Sequence, residues 1–136
     1  MKFSYVRFPS KPSKVFPETS IIKPIIHIAL KNGENTIDTF ALIDSGADYC
    51  ISSAEFGEAL GLSVENEFGL DIYGISGKPI KFYFHNIKII IGGWEKNCKM
   101  GFSREFMMDF VILGQKGFFD LFKITFDYKR EIIELK

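Results

Sequence analysis

Between Ile80 and Ile91 apolar side chains fall at every second position: Ile80, Phe82 and Phe84, then Ile87, Ile89 and Ile91. Only an extended strand sends alternate residues to one face, so this stretch is a β-strand with a covered side. The alternation slips by one residue at His85-Asn86, which predicts a bulge or a bend there. Gly92-Gly93 then turns the chain into a partner strand over Trp94–Phe102. Further strand-like runs lie at Phe3–Phe8, Pro24–Leu30, Thr36–Ile43, Tyr49–Ile51, Phe68–Tyr73, Phe110–Leu113, Lys123–Phe126 and Ile132–Leu135. The segment Lys31–Asn35 carries an Asn-Gly pair, a strong hairpin signal. Two short helices are expected. Ser52-Ser53-Ala54-Glu55 has the spacing of a capping box with Gly61 placed to end the helix, and a second helix is expected near Lys116–Phe122. Many short strands with little helix predict an all-β, closed or sandwiched domain.

At 136 residues the chain is one domain's worth, with residues 1–20 read as a first strand and a loose arm and 21–136 as the body. The arm, 9–20, holds three of the five prolines and has no periodicity. The 15 Phe and 5 Tyr suit strands. Lys plus Arg and Asp plus Glu number 17 each, so no net field draws in a phosphate backbone, and nucleic-acid binding is disfavoured. No apolar run approaches a membrane span, and the N-terminus lacks the apolar core of a secretory signal. With two cysteines and two histidines at no metal-binding spacing, neither a disulfide framework nor a metal or cofactor is expected. A cytoplasmic protein is the simplest expectation.

One carboxylate has an unusual setting. Asp44 follows Phe40-Ala41-Leu42-Ile43, a run that should be buried, and precedes Ser45-Gly46, which forces a tight turn. A strand that delivers a carboxylate from the core into a turn can hold it as rigidly as an acid or base requires. By itself the tripeptide is an ordinary turn. In context, Ala41-Leu42-Ile43-Asp44-Ser45-Gly46-Ala47-Asp48 closely resembles the active-site segment of the retropepsin-like aspartic proteases. Val111-Ile112-Leu113-Gly114 resembles their second signature, and Tyr73-Gly74-Ile75-Ser76-Gly77 matches their glycine-rich flap tip in place and character. The ending, from Phe118-Phe119-Asp120 to Ile132, is similar to the bacterial branch. These ordered motifs span roughly residues 22–135.

The resemblance implies an acid-protease barrel and an aspartic endopeptidase. A chain with one such motif supplies one of two carboxylates, so a homodimer is expected, with Asp44 facing its symmetry mate. Ser45 would hydrogen-bond across the dimer, and Gly46 would let substrate backbone approach closely. Ala47, Asp48, Gly74, Ile75, Ser76, Gly77 and Ile112 would meet a peptide or protein substrate, the glycine-bracketed tip closing over it. One departure stands out. Many relatives follow the late glycine with Arg, which pairs with the acidic residue after the motif. Here Gly114 is followed by Gln115-Lys116, and Gln115 cannot form that charged fork. A catalytically silent dimerisation or peptide-binding module is therefore the alternative, and a plain structural β-domain a third.

Other motifs carry less. Ser76 lacks the final glycine of a nucleophile elbow, since Lys78 stands there, and Gly77-Lys78-Pro79 is no phosphate loop. His27 and His85 sit in strand-like runs, Cys50 reads as a small buried hydrophobe, and Asp109 as a loop residue. The cluster Phe82-Tyr83-Phe84 reads as packing before base stacking.

Overall fold

Alternation in the two runs flanking the Asn-Gly pair builds a hairpin. β4 (Ile25–Asn32) and β5 (Asn35–Ile43) pair antiparallel from Ile25↔Leu42 to Asn32↔Asn35. The two turn residues are Gly33 and Glu34, with Gly33 at φ +59, a conformation only glycine adopts without strain. Ile26, Ile28 and Leu30 of one strand and Thr39, Ala41 and Ile43 of the other are buried on the same side. Described here is a computed structural model covering residues 1–136.

The other strands are β1 (Lys2–Ser4), β2 (Val6–Pro9), β3 (Ser20–Lys23), β6 (Cys50–Ser53), β7 (Gly69–Tyr73) and β8 (Pro79–Ile91). After them come β9 (Trp94–Ser103), β10 (Val111–Leu113), β11 (Ile124–Asp127) and β12 (Ile132–Leu135). One helix, α1 (Ala54–Ala59), and a 3₁₀ turn, Val64–Asn66, complete the chain. The main sheet runs β4-β5-β10-β6-β9-β8-β7, and β8 also pairs with β4 through Leu30↔Ile89. That extra pairing closes six strands into a barrel and leaves β7 as an outer ribbon. Closure removes the exposed edges an open sheet would carry. Ile87, Ile89 and Ile91 of β8, Met100 and Phe102 of β9, and Val111 and Leu113 of β10 fill its interior. The chain is therefore all-β with a closed barrel, as the sequence predicts.

The slip at His85-Asn86 has a different cause from a bulge. Pairing of β8 with β9 is unbroken from Tyr83↔Phe102 to Ile91↔Trp94. Instead, the two faces of one strand are covered in turn. His85, Ile87, Ile89 and Ile91 point into the barrel, while Phe82 and Phe84 point the other way. There Phe82 meets Phe106 edge-on at 5.5 Å and Phe84 meets Tyr49 at 5.4 Å. Opposite them is Gly101, where an added Cβ would lie 3.0 Å or less from both rings' side chains. His85 is a core residue, its Nε2 2.7 Å from the Val64 carbonyl.

Three local expectations are corrected. Ser53, not Ser52, stands at the N-cap position of α1, and no side chain makes a capping hydrogen bond there. Ser52 is committed to β6, paired with Phe102 and fully buried, so its hydroxyl cannot reach the helix. Gly61 does end the helix, at φ +77, with Gly61 N–H donating to Glu58 and Leu62 N–H to Gly57. Residues 116–122 form no α-helix. Gly117 at φ +103 breaks the helical path, and the bonds Phe119 N–H to Gly114 O and Asp120 N–H to Gln115 O span five residues. Lastly, Phe3–Phe8 is two strands. β1 pairs with β12 through Phe3↔Ile133, and β2 pairs with β3 through Arg7↔Ile22. The switch occurs at Tyr5, whose N–H donates to the Glu131 carbonyl.

Around the barrel, β1, β12 and β11 form a separate three-stranded sheet that ties both chain ends together. On the surface, Arg104 holds Glu58 of α1 and Glu65 of the 3₁₀ turn. That hydrogen bond keeps the Glu65 carboxyl below its ordinary range. A depressed folded-state value stabilises above the unfolded value and is lost as pH falls through the folded one. The urea midpoint should therefore drop between about pH 5 and pH 3, and drop less in Arg104→Ala. Leu30→Ala, at the barrel closure where Leu30 is 0% exposed, should cost about 2–5 kcal/mol in urea unfolding. Phe40→Ala, on the outer face at 55% exposure, should stay within about 1 kcal/mol.

Candidate active site

The site is built where β5 runs out. β10 lies beside β5 in parallel, pairing Ala41, Leu42 and Ile43 with Val111, Ile112 and Leu113, and beside β6 antiparallel at Ile112↔Ile51. The ladder extends one residue further, the Asp44 N–H donating to the Leu113 carbonyl at 3.0 Å. Asp44 is thereby held by the central strands of the barrel. Its carbonyl accepts from the Ala47 N–H at 3.2 Å, closing a four-residue turn. Its Oδ1 accepts from the Gly46 N–H at 2.9 Å. One carboxylate oxygen is thus set by the backbone, and Asp44 is half-buried at the turn. At Gly46 an added Cβ would lie 3.2 Å from that same oxygen, tighter than ordinary contact.

A second segment clamps the turn from below. At Gly114 an added Cβ would come within 2.3 Å of the Tyr49 carbonyl oxygen and 2.6 Å of the Ala47 carbonyl oxygen. Only glycine lets these two backbones lie this close. Gln115 N–H then donates to Ala47 O at 2.8 Å, and Lys116 N–H to Asp48 O at 2.9 Å. The Gln115 side chain adds a third tie, its Nε2 donating to the Ser45 carbonyl at 2.6 Å. Sequence reasoning gave Gln115 only a lost ion pair. The structure gives it a neutral hydrogen bond to the turn that carries Asp44. The readable signal was its place, directly after the glycine that touches the loop.

Asp44, Ser45, Gly46, Ala47 and Asp48 therefore form one cluster with Gly114 and Gln115. Ile112 sits next to it in the sheet, between Leu42 and Ile51, and is 7% exposed. Gly74, Ile75, Ser76 and Gly77 lie elsewhere, at the tip of the β7–β8 hairpin. Gly77 N–H donates to Gly74 O at 3.0 Å, Gly77 has φ +74, and Ile75 is fully exposed. Cys50 is buried in β6 beside Cys98. A hydrogen bond to Cys50, together with burial, pushes the Cys98 thiol up, so it stays protonated. His27 lies on the outer face, 3.6 Å from Asp38 and edge-on to Phe40. Asp109 is in the loop before β10. Nowhere do three metal-ligating side chains converge, and no helix is long and apolar enough to cross a membrane. Gly114→Ala should lower stability by about 1–3 kcal/mol through overpacking, read as a shifted urea midpoint.

Two solved structures share this architecture. One is a retropepsin-like aspartic protease from Rickettsia conorii, with a TM-score of 0.61 at 17% identity over 99% of this chain and 92% of that one. The other is EIAV protease complexed with the inhibitor HBY-793, with a TM-score of 0.55 at 19% identity over 68% of this chain and 82% of that one. No protein-family model matches the sequence, and no curated protein matches it. At these identities the likeness is one of fold: the chain has the retropepsin-like, all-β acid-protease fold.

Proposed function

We propose that this chain is an aspartic endopeptidase whose active centre is a pair of Asp44 carboxylates, one from each of two copies. The observation that carries the proposal is the setting of Asp44. It lies on the last rung of the β5–β10 ladder, with one oxygen fixed by the Gly46 N–H and its turn braced by Gly114 and Gln115. Positioned acids and bases need such rigidity, and a simple surface turn does not. The fold shared with solved aspartic proteases supports the same reading.

The chemistry follows from placing two such carboxyls together. About 3 Å apart they cannot both ionise, so they share one proton, and the two titrations belong to the pair. The ionised member takes a proton from water as the water attacks the scissile carbonyl carbon. The protonated member donates to the carbonyl oxygen. Collapse of the tetrahedral intermediate returns a proton to the leaving nitrogen and frees amine and carboxylate. Ser45 would brace the paired loops across the dimer axis. Ala47, Asp48 and Ile112 would line the floor for an extended peptide, with Gly74 to Gly77 closing over it and excluding water. No metal or cofactor enters this route.

Wild type and Asp44→Asn should be compared on a complex peptide mixture between about pH 4 and pH 7, with products read by mass spectrometry. Wild type should cleave best at mildly acidic pH, and Asp44→Asn should lose at least about 100-fold in rate. Specific activity should fall on dilution below the dimer dissociation constant, because a monomer holds half a site. A flat dilution curve would rule out the shared pair. Folded dimers that cut nothing would instead mark a silent peptide-binding module.

A further inference from the structure

Behind Tyr49, five residues along the chain from Asp44, opens a cavity of about 580 Å³. Its size lies within the range of ligand-binding pockets. Tyr49 and Phe84, packed edge-to-face, line it together with Gly117. The mouth is unusually apolar. Phe68 is 91% exposed, Leu70 43% and Leu121 40%, and all three line this one concavity. Scattered exposed apolar residues are ordinary, but several converging on one hollow mark a surface that something covers.

Charge tells what kind of partner fits. Lys99 and Lys116 both line the cavity, and neither forms an ion pair, so both ammonium groups are open to a ligand there. The one carboxylate in the lining, Asp120, already accepts the Gly117 N–H at 3.0 Å through Oδ1. Two unpaired cations beside an apolar hollow suit an apolar side chain flanked by an acidic one.

The cavity lining is tied to the candidate active site through the backbone. Lys116 N–H holds the Asp48 carbonyl, and the chain runs from Asp48 directly into Tyr49. Leu70 and Phe68 sit at the root of the β7–β8 hairpin whose tip is Gly74–Gly77. A peptide lying along Asp44 to Asp48 would therefore meet this hollow a few residues from the reacting bond.

We propose that the Tyr49–Phe68–Leu121 cavity is a second peptide-binding site, taking an apolar residue next to a Glu or Asp in a segment that flanks the cleaved bond. The site holds the flanking part of the substrate while Asp44 acts on another part. Naming that peptide a substrate rests on the proposed endopeptidase activity; binding itself does not.

The test is run on full-length Asp44→Asn, which removes cleavage from the measurement. The probe is a fluorescein-labelled decapeptide with Phe-Glu-Leu-Glu at its centre, compared with the same peptide carrying Lys for Glu. Fluorescence anisotropy should show the acidic probe binding at least about five-fold more tightly, the scale of two exposed ion pairs. Lys99→Glu with Lys116→Glu should reverse that preference. Phe68→Ser or Leu121→Ser, both on exposed side chains, should weaken binding several-fold with the fold intact by circular dichroism. Amide shifts on titration should centre on Tyr49, Gly69 and Gly117. Equal binding of the two probes, indifference to the charge reversal, or shifts confined to Asp44–Asp48 would overturn the proposal. In wild type, adding the acidic segment to a cleaved peptide should lower KM with little change in kcat. Binding here without any cleavage would sink the endopeptidase reading and leave this site standing.

Discussion

Everything at the candidate active site depends on two backbones lying closer than any side chain would permit. At Gly114 the chain leaves β10 and runs against the carbonyls of Ala47 and Tyr49, where a single methyl group would collide with both. That approach brings the Gln115 and Lys116 N–H groups to Ala47 and Asp48 and the Gln115 amide to Ser45. The parallel insertion of β10 between β5 and β6 makes the approach possible, since it ends beside Ile43 just where Asp44 begins. Barrel, turn and carboxylate are thus one mechanical unit: loosening the glycine contact would loosen the acid.

The neutral tie through Gln115 changes how that unit works. A charged fork at this place would hold the loop by pairing with the acidic residue after the motif. Gln115 instead donates to a main-chain carbonyl, which leaves the Asp48 side chain exposed and unengaged. The loop is therefore braced through a neutral amide, and the Asp48 side chain is free to meet a ligand.

Much of the fold was legible because strand chemistry is local. The apolar run Thr36–Ile43 identified β5, and Gly92-Gly93, at φ +52 and +87, marked a hairpin turn. Of Phe40–Ile43, the run expected to be buried, only Ala41 and Ile43 are so, Phe40 facing outward because strand neighbours take opposite faces. Misreadings fell where tertiary contacts overrode local pattern. The slip at His85 looked like a bulge because periodicity reports only one face, and Phe82 and Phe84 are covered by Phe106 and Tyr49 from distant segments. Ser52 had capping spacing, yet pairing with Phe102 buried it in β6. The turn at 116–122 lost its helix to Gly117, which presses on Cys98 and Cys50, where a Cβ would lie 3.0 and 3.2 Å from their sulfurs.

The sequence alone determined that the chain is a β domain and that Asp44 leaves a buried strand into a tight turn, because alternation and turn chemistry act within a few residues. It also placed a glycine at 114 and glycines around the hairpin tip. Only the tertiary structure decided what Gly114 touches, that Gln115 holds the Asp44 turn, and that Phe68, Leu70 and Leu121 face one hollow with Lys99 and Lys116. Those groups are far apart in the chain, and barrel closure and strand insertion, not local preference, bring them together.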